Sequence, residues 1–250
     1  CIIYNPERIY EGRAITDIEN NYPAILSSLG PNSSQLAYTI YSLIFKKGVL
    51  ILKSIRTAEA EKLFEGVYRD VNIALANELA KFCEVAGIDF WQARDAANSQ
   101  PYCHIHKAGI GVGGACIPVY PQFVLDVANK MNVLCEVTNI SRSINNGMPA
   151  YCVRQAIKLL KFSDLPEAKI SILGLAFRGE VSDTRLSPTY AVITELQSFG
   201  VKDIRIHDPF VSSDPNLLNY DNVSLTSDLK KAIKNSDLII LSTDHQEYKK

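Results

Sequence analysis

Apolar residues recur at intervals of three and four between Thr57 and Gly87, the pattern of one face of an α-helix. Thr57 can cap the first turn, and glycine commonly follows the end of a helix, as Gly87 does here. The pattern predicts one amphipathic helix, longer than is usual in globular proteins. A helix of that length is typical of the spine of a helical domain or the seam of a dimer. The apolar positions are Leu63, Val67, Val71, Ala74, Leu75, Leu79, Phe82 and Cys83.

Shorter helical patterns follow this helix. They cover residues 88–97, 121–131 and 137–160, with a break expected near Gly147 and Pro149, which disfavour a continuous helix. Residues 56–163 are therefore predicted to form an all-helical central domain.

Short apolar runs that alternate with helical segments occupy both ends of the chain. Near the start, strands predicted at residues 1–4, 24–26 and 48–54, with a helix at 35–45, are typical of the tail of an α/β domain, residues 1–55.

Beyond a linker predicted at residues 163–167, the alternation returns. Strands are predicted at residues 169–176, 203–209 and 237–242, and helices at 188–199 and 225–232. Units of about 30 residues predict a parallel sheet with helices on its faces. Three strands are few for such a sheet, so we expect this C-terminal domain, residues 164–250, to be incomplete.

The chain of 250 residues is 47% hydrophobic and 21% charged, with a formal net charge of −1. This composition is that of a soluble globular protein and gives no electrostatic reason to expect nucleic acid or an anionic membrane as partner. No apolar run approaches the ~20 residues of a membrane-spanning helix, and no signal peptide is visible. The six cysteines are irregularly spaced and form no C-x-x-C pair, which favours a reducing, cytoplasmic location.

A glycine loop that ends in a cysteine is the richest candidate for chemistry. Gly109, Gly111, Gly113 and Gly114 precede Cys116. Glycines let the backbone adopt positive φ, and such a loop can leave a thiol exposed beside free backbone N–H groups. Those conditions suit a nucleophile. The alternative is a turn that holds a small buried thiol, the commoner environment of cysteine.

His104 and His106 alternate just before this loop, with Cys103 beside them. A metal site needs three or four ligands and the chain supplies no second cluster, so no metal is predicted. We expect a polar segment that leads into the glycine loop.

Several motifs resemble, in order and over nearly the whole chain, those of the nucleotide-sugar 6-dehydrogenases, the UDP-glucose/GDP-mannose dehydrogenase family. The Arg-Asp-Val-Asn segment at residues 69–72 is similar to the branch that acts on UDP-N-acetylhexosamines such as UDP-N-acetylmannosamine. The motifs are Asn5-Pro6-Glu7-Arg8, Glu61-Lys62-Leu63, the Gly-x-Gly-Gly-x-Cys loop, Gly174-x-Ala176-Phe177-Arg178, Asp183-Thr184-Arg185-x-Ser187-Pro188, His207-Asp208-Pro209 and Thr243-Asp244-His245.

The resemblance implies an α/β fold in three parts. These are the tail of an N-terminal Rossmann-like NAD-binding domain, the central helical domain, which dimerises through its long helix, and the C-terminal Rossmann-like parallel sheet, which binds the UDP-sugar. No Gly-x-Gly-x-x-Gly opens a β–α unit here, so the main NAD site is expected outside this chain. We therefore expect the chain alone to bind nucleotide sugar without turning it over.

The implied reaction is a four-electron oxidation of the sugar C6 alcohol to a carboxylate with two NAD. By the resemblance, Cys116 attacks the aldehyde to give a thiohemiacetal, and oxidation then gives a thioester that water hydrolyses. Lys62 would stabilise the developing alkoxide, and Glu7 would act near thioester hydrolysis. Glu11 lies where some members carry a second acid. The alternative for Lys62 is a solvated lysine in the first turn of the helix, and the alternative for Glu7 is a helix-start or surface acid.

The resemblance also implies a set of substrate-binding residues. An aromatic at Phe177 would flank the nucleotide base, and the guanidinium groups of Arg178 and Arg185 would hold the pyrophosphate. Lys107 is expected to meet substrate phosphate from a neighbouring subunit. The alternatives are a core aromatic and solvated basic side chains. Arg69, Asn72, Gly113 and Gly114 complete the set.

Three positions depart from the family pattern. Gly66 stands where most members have Asn, Tyr120 where most have Asp, and Ala115 where the hexosamine branch usually has His. Loss of one oxyanion donor can lower a rate about 10²–10³-fold. Either Tyr120 or Asn72 replaces the missing contacts, or the chain is a nucleotide-sugar-binding homologue with impaired catalysis. UDP-glucose in place of the hexosamine also stays open.

Overall fold

The computed structural model describes residues 1–10, 12–160 and 165–249. The chain folds as two compact units, Cys1–Val67 and Tyr68–Lys250. Glu11, the predicted boundary at 163/164 and the first two residues of the predicted linker lie outside the described residues. The three-domain division therefore stays a prediction.

The first unit is built on a three-stranded sheet in the order β1 (Ile3–Tyr4), β2 (Ala24–Ser28), β3 (Val49–Ile51). Strand β2 is antiparallel to β1 and parallel to β3. Helix α1 (Ala14–Thr16), continued by a π-helical turn at Asp17–Asn21, precedes β2, and helix α2 (Pro31–Ser42) joins β2 to β3. The buried centre consists of Ala24, Leu26, Ala37 and Phe45.

The predicted long helix is confirmed as α3 (Ile55–Ala86). Helix α4 (Phe90–Ala97) begins at Asp89, whose side chain accepts from the amides of Trp91 and Gln92. Helices α5 (Tyr120–Lys130) and α6 (Glu136–Leu159) follow. Among the described residues, every helix is too short or too polar to cross a membrane.

The break predicted within the last of these patterns is wrong, because α6 runs through Pro149. Proline removes one intrahelical hydrogen bond and crowds the carbonyl four residues before it, and burial on both sides of it offsets this cost. Asn145 and Met148, which precede Pro149, are buried, and Val153, which follows it, belongs to the core of the C-terminal sheet.

The C-terminal sheet has four parallel strands in the order β6-β5-β4-β7. Helix α7 (Pro188–Ser198) joins β4 to β5, and helix α8 (Leu229–Ile233) joins β6 to β7. This order is that of one Rossmann mononucleotide-binding half with part of the next, which confirms the predicted α/β fold. The strands are β4 (Lys169–Leu173), β5 (Asp203–His207), β6 (Val223–Thr226) and β7 (Leu238–Leu241).

Strand β6 was not predicted, and the helix predicted at residues 225–232 starts too early. Residues 225 and 226 belong to the strand, and α8 begins at Leu229 after an Asp228 cap. This edge strand is half-buried and four residues long, so its sequence contains too few apolar positions for the pattern to distinguish a strand from a helix.

Candidate active site

Cys116 is exposed at the end of the glycine loop, one turn before α5 begins at Tyr120. Its carbonyl oxygen accepts hydrogen bonds from the amides of Val119 and Tyr120 at 3.0 and 2.9 Å, which fixes the residue at the start of the helix. At the other end of the loop, the amide of Gly109 donates to the buried side chain of Asn77 at 2.8 Å. The thiol is accessible, as a nucleophile requires, and its role as one stays a prediction.

Phe177 lies directly against the glycines of the loop. A Cβ atom on Gly114 would stand 2.8 Å from the Phe177 ring, and one on Gly113 would stand 2.7 Å from both the Phe177 Cβ and the carbonyl oxygen of Leu186. Gly114 also has a φ of +88°, which L-residues rarely adopt. The close approach of the ring explains why glycine occupies both positions.

Arg185 reaches the same loop through its backbone, because the amide of Gly114 donates to its carbonyl oxygen at 2.9 Å. Its guanidinium group donates to both carboxylate oxygens of Asp183, with Nε 3.0 Å from Oδ1 and Nη2 2.6 Å from Oδ2. These hydrogen bonds hold the pKa of Asp183 below its ordinary value. Arg178, next to Phe177, is half-buried. Four predicted substrate-binding residues thus meet at the loop: Gly113, Gly114, Phe177 and Arg185.

A cavity of about 500 Å³ lies beside the glycine loop. Its walls come from the loop, from α5 and α6, and from the start of α7. Amide, guanidinium and phenol groups lie among apolar ones in its lining, a mixture typical of small-molecule sites. The polar lining includes Gln122, Arg142, Asn146, Ser187 and Tyr190.

Asn72 holds the segment that leads into the loop. Its Nδ2 donates to the His104 carbonyl oxygen at 2.6 Å, and its Oδ1 accepts from the His106 amide at 2.9 Å. Burial lowers the pKa of His106, and the nearby cations Arg69 and Lys107 lower it further. Lys107 itself is exposed. Both ends of the Asn72 amide are engaged by the backbone, so the contact seen here positions this segment.

A buried polar cluster between α3 and α6 escaped the sequence analysis. Asp70, fully buried, pairs with Arg142 and accepts from Asn145 at 2.9 Å. Asn145 in turn accepts from Asn77, whose own Oδ1 holds the glycine loop at Gly109. Burial raises the pKa of Asp70, against the opposing effect of Arg142. The sequence signal was present, since polar residues stand three apart on α6 where its buried face would carry apolar ones.

Glu7 and Lys62 both belong to the first unit. Arg8, next to Glu7, pairs with Glu61 at 3.3 Å and with Glu65 at 2.6 Å, and Glu61 is the neighbour of Lys62. These ion pairs bring the turn that carries Glu7 to the first turns of α3. Glu7 is exposed and Lys62 half-buried.

The carboxyl ends of β4 and β7 mark the switch point at which a Rossmann fold binds a dinucleotide. Here the ends of the two strands pack closely, because a Cβ atom on Gly174 would stand 2.2 Å from the Cβ of Thr243. Asp208, which follows β5 where such folds place the ribose-binding acid, is fully buried. Asp208 is therefore not accessible to a ribose hydroxyl, and no NAD site is assigned to this edge. In the part of the chain that the structure describes, no group of three or more His, Cys, Asp or Glu side chains is arranged to hold a metal ion.

Two domain profiles of one family match the chain. The central domain of the UDP-glucose/GDP-mannose dehydrogenase family matches residues 56–147, and the UDP binding domain of the same family matches residues 171–250. The glycine loop with Cys116 lies in the first range, and Phe177 and Arg185 in the second. The chain belongs to the UDP-glucose/GDP-mannose dehydrogenase family.

The chain is similar to a UDP-N-acetyl-D-mannosamine dehydrogenase of Methanococcus vannielii, with 34% identity over 99% of this chain and 55% of that protein. It is 32% identical to an NDP-N-acetyl-D-galactosaminuronic acid dehydrogenase of Ralstonia solanacearum, over 100% of this chain and 56% of that protein. The solved structure of a UDP-D-ManNAc dehydrogenase from Pyrococcus horikoshii superimposes with a TM-score of 0.86 at 33% identity, over 99% of this chain and 56% of that one. The chain spans about half the length of the curated relatives that it matches.

Proposed function

We propose that the protein oxidises C6 of a UDP-N-acetylhexosamine, most simply UDP-N-acetylmannosamine, to the uronate, with Cys116 as the nucleophile. The observation that carries this proposal is the contact of Phe177 with the glycine loop that ends at the exposed Cys116. An aromatic side chain suited to a nucleotide base thereby packs on the same short loop that ends at an accessible thiol.

The acetamido sugar is supported by the relatives. Both curated relatives described above, from Methanococcus vannielii and Ralstonia solanacearum, are named for N-acetylated sugars, and they cover nearly the whole of this chain. The cavity beside the loop carries amide side chains at Gln122 and Asn146, which can hydrogen-bond an acetamido group.

The chemistry assigned to this chain is covalent and electrostatic. Once the C6 alcohol has been oxidised to the aldehyde, the Cys116 thiolate adds to it. The resulting thiohemiacetal is oxidised to a thioester, which water cleaves to release the carboxylate. Lys62 is the cation for the alkoxide, and Glu7 the carboxylate for hydrolysis. NAD is the oxidant that we expect, and none of the residues described here is assigned to it.

A nucleotide-sugar-binding homologue with impaired catalysis is the second candidate. Gly66 and Tyr120 favour it, because neither supplies the amide or carboxylate that most members place there. The first candidate requires other groups to take over those contacts.

The test uses the chain joined to the NAD-binding domain that the resemblance places outside it, supplies NAD with UDP-N-acetylmannosamine, UDP-N-acetylglucosamine or UDP-glucose, and follows NADH. We expect two NADH per UDP-N-acetylmannosamine, and fewer than two with Cys116→Ser, because the second oxidation proceeds through the thiohemiacetal. Cys152→Ser is the matched control. It makes the same change on α6, outside the glycine loop, and should leave the NADH yield unchanged. UDP-sugar binding without NADH would favour the second candidate, and oxidation of UDP-glucose alone would exclude the hexosamine.

We also propose that the protein forms a homodimer through α3. Tyr68, Leu75 and Phe82 are 61%, 46% and 61% exposed and stand seven residues apart, the spacing of a helical seam. A second copy of the same helix offers the matching apolar stripe, since a two-fold interface brings identical surfaces together.

A further inference from the structure

Asp208 and His245 lie fully buried at the carboxyl edge of the C-terminal sheet, and the function proposed above does not use them. His245 Nε2 lies 3.2 Å from Asp208 Oδ2. The same Oδ2 accepts from the amides of Leu175 at 2.7 Å and Ala176 at 2.9 Å. The Asp208 Oδ1 accepts from two amides of its own loop, Phe210 and Val211.

The tautomer of His245 follows from its partners. Its Nδ1 accepts from the amide of Glu180 at 3.1 Å, so that nitrogen carries no hydrogen. The ring hydrogen is therefore on Nε2 and is donated to Asp208. Phe210 stacks on the imidazole and Tyr248 meets it edge-on, which holds the ring in this orientation.

These contacts hold both ends of one turn, which we call the Phe177 turn (residues 175–180). Asp208 binds its first two amides and His245 binds its last, while Phe177 projects from its middle onto the glycine loop. The loop after β7 supports the turn as well, because Thr243 donates to the Ala176 carbonyl oxygen at 2.6 Å.

We propose that Asp208 and His245 are a positioning pair that sets the place of Phe177 over the glycine loop, and thereby nucleotide affinity and access to the Cys116 thiol. Asp208 occupies the position of a ribose-binding acid in a Rossmann fold, but it is fully buried and both of its carboxylate oxygens accept from backbone amides. Its carboxylate binds the turn that meets the ligand. The part of this proposal that concerns nucleotide rests on the proposed function.

The test compares His245→Phe with His207→Phe in the protein. His207 is equally buried and also meets Tyr248 edge-on, but its ring nitrogens contact the Tyr248 hydroxyl and the Ser227 carbonyl oxygen, away from the Phe177 turn. His245→Phe keeps the ring and removes both hydrogen bonds. His245→Asn places an oxygen near the former Nδ1 and can still accept from Glu180.

Three quantities are measured: UDP affinity by calorimetry, the rate of Cys116 alkylation by peptide mapping, and amide hydrogen exchange at Leu175, Ala176 and Glu180. We expect His245→Phe to weaken UDP binding about tenfold, as the loss of two hydrogen bonds implies. It should also change the alkylation rate and speed exchange in the Phe177 turn. His245→Asn should restore part of the affinity, and His207→Phe should leave all three quantities near wild type.

Equal effects of His245→Phe and His207→Phe, or unchanged UDP affinity and alkylation in His245→Phe, would overturn the proposal and leave the pair a purely structural one. If the wild-type protein does not bind UDP, the proposed function fails separately. Alkylation and exchange then decide the positioning role, which stands if only the His245 variants change them and falls if they do not.

Discussion

The contact between Phe177 and the glycine loop depends on missing Cβ atoms. Gly113 and Gly114 have no room for a side chain, whereas Gly109 and Gly147 have nothing within 4 Å of an added Cβ. Glycine is therefore needed at the first two positions for space and is tolerated at the others. The sequence pattern alone does not distinguish these two cases.

Gly114→Ala should destabilise the fold by about 1–3 kcal/mol, since it combines a positive φ with a clash against the Phe177 ring. We also expect weaker UDP binding, because the ring must move. Urea unfolding and calorimetry measure the two effects.

Gly109→Ala is the matched control, with no positive φ and open space at its Cβ. It should be neutral or slightly stabilising. Equal losses in the two variants would show that the Phe177 contact is not what excludes a side chain.

Asp208 gives a dependence of stability on pH. Burial alone would raise its pKa, but His245 and the backbone amides hold the pKa below its ordinary value. A lowered carboxyl pKa contributes stability above the unfolded value of about 3.9, and that contribution is lost as the pH falls through the folded value.

Asp208→Asn should therefore be less stable than wild type at neutral pH, with a gap that narrows as the pH falls below about 4. Unfolding by urea from pH 7 down to pH 3 measures the gap. A gap that stays constant or widens toward acid would show that the Asp208 charge is not what the folded state stabilises.

Among the elements, α3 was predictable and β6 was not. The long helix repeats its apolar spacing over many turns, whereas β6 has four half-exposed residues at a sheet edge. The helix break predicted at Pro149 was wrong for a related reason. The local preference of proline against a helix is overridden by burial, which is apparent only in the folded chain. In the site, the glycine loop and Phe177 were identified from motifs, but their contact with each other was not.

The buried polar cluster between α3 and α6 was also recognised only in the structure. Removing Arg142 by Arg142→Met leaves Asp70 buried without its partner, which should cost about 3–5 kcal/mol of unfolding free energy. Thermal and urea unfolding measure this loss. Asp70→Asn combined with Arg142→Met should cost less than the sum of the single changes, because the two residues share one interaction.

Arg154→Met is the control for the Asp70 and Arg142 substitutions. Its ion pair with Glu195, at 3.3 Å, is solvent-exposed on the Arg154 side, so its loss should cost less than about 1 kcal/mol. A large effect there, or strict additivity at Asp70 and Arg142, would contradict the assignment of a buried tie.

For the whole molecule, the proposed dimer makes the exposed stripe of α3 a testable surface. Leu75→Glu places a charge in the middle of the stripe and should shift the protein to monomers in light scattering. Leu218→Glu, at an apolar residue 88% exposed outside α3, should leave the mass unchanged. Dimers that survive Leu75→Glu would place the interface elsewhere.

For protein engineering, the contact of Phe177 with Gly113 and Gly114 means that one substitution changes two properties, the proposed base preference and the reactivity of the Cys116 thiol. Replacing Phe177, the residue proposed to flank the base, also removes the side chain that packs on the loop carrying Cys116. Altered base preference would therefore come with altered thiol reactivity, and libraries that vary residue 177 should vary residues 113 and 114 together with it.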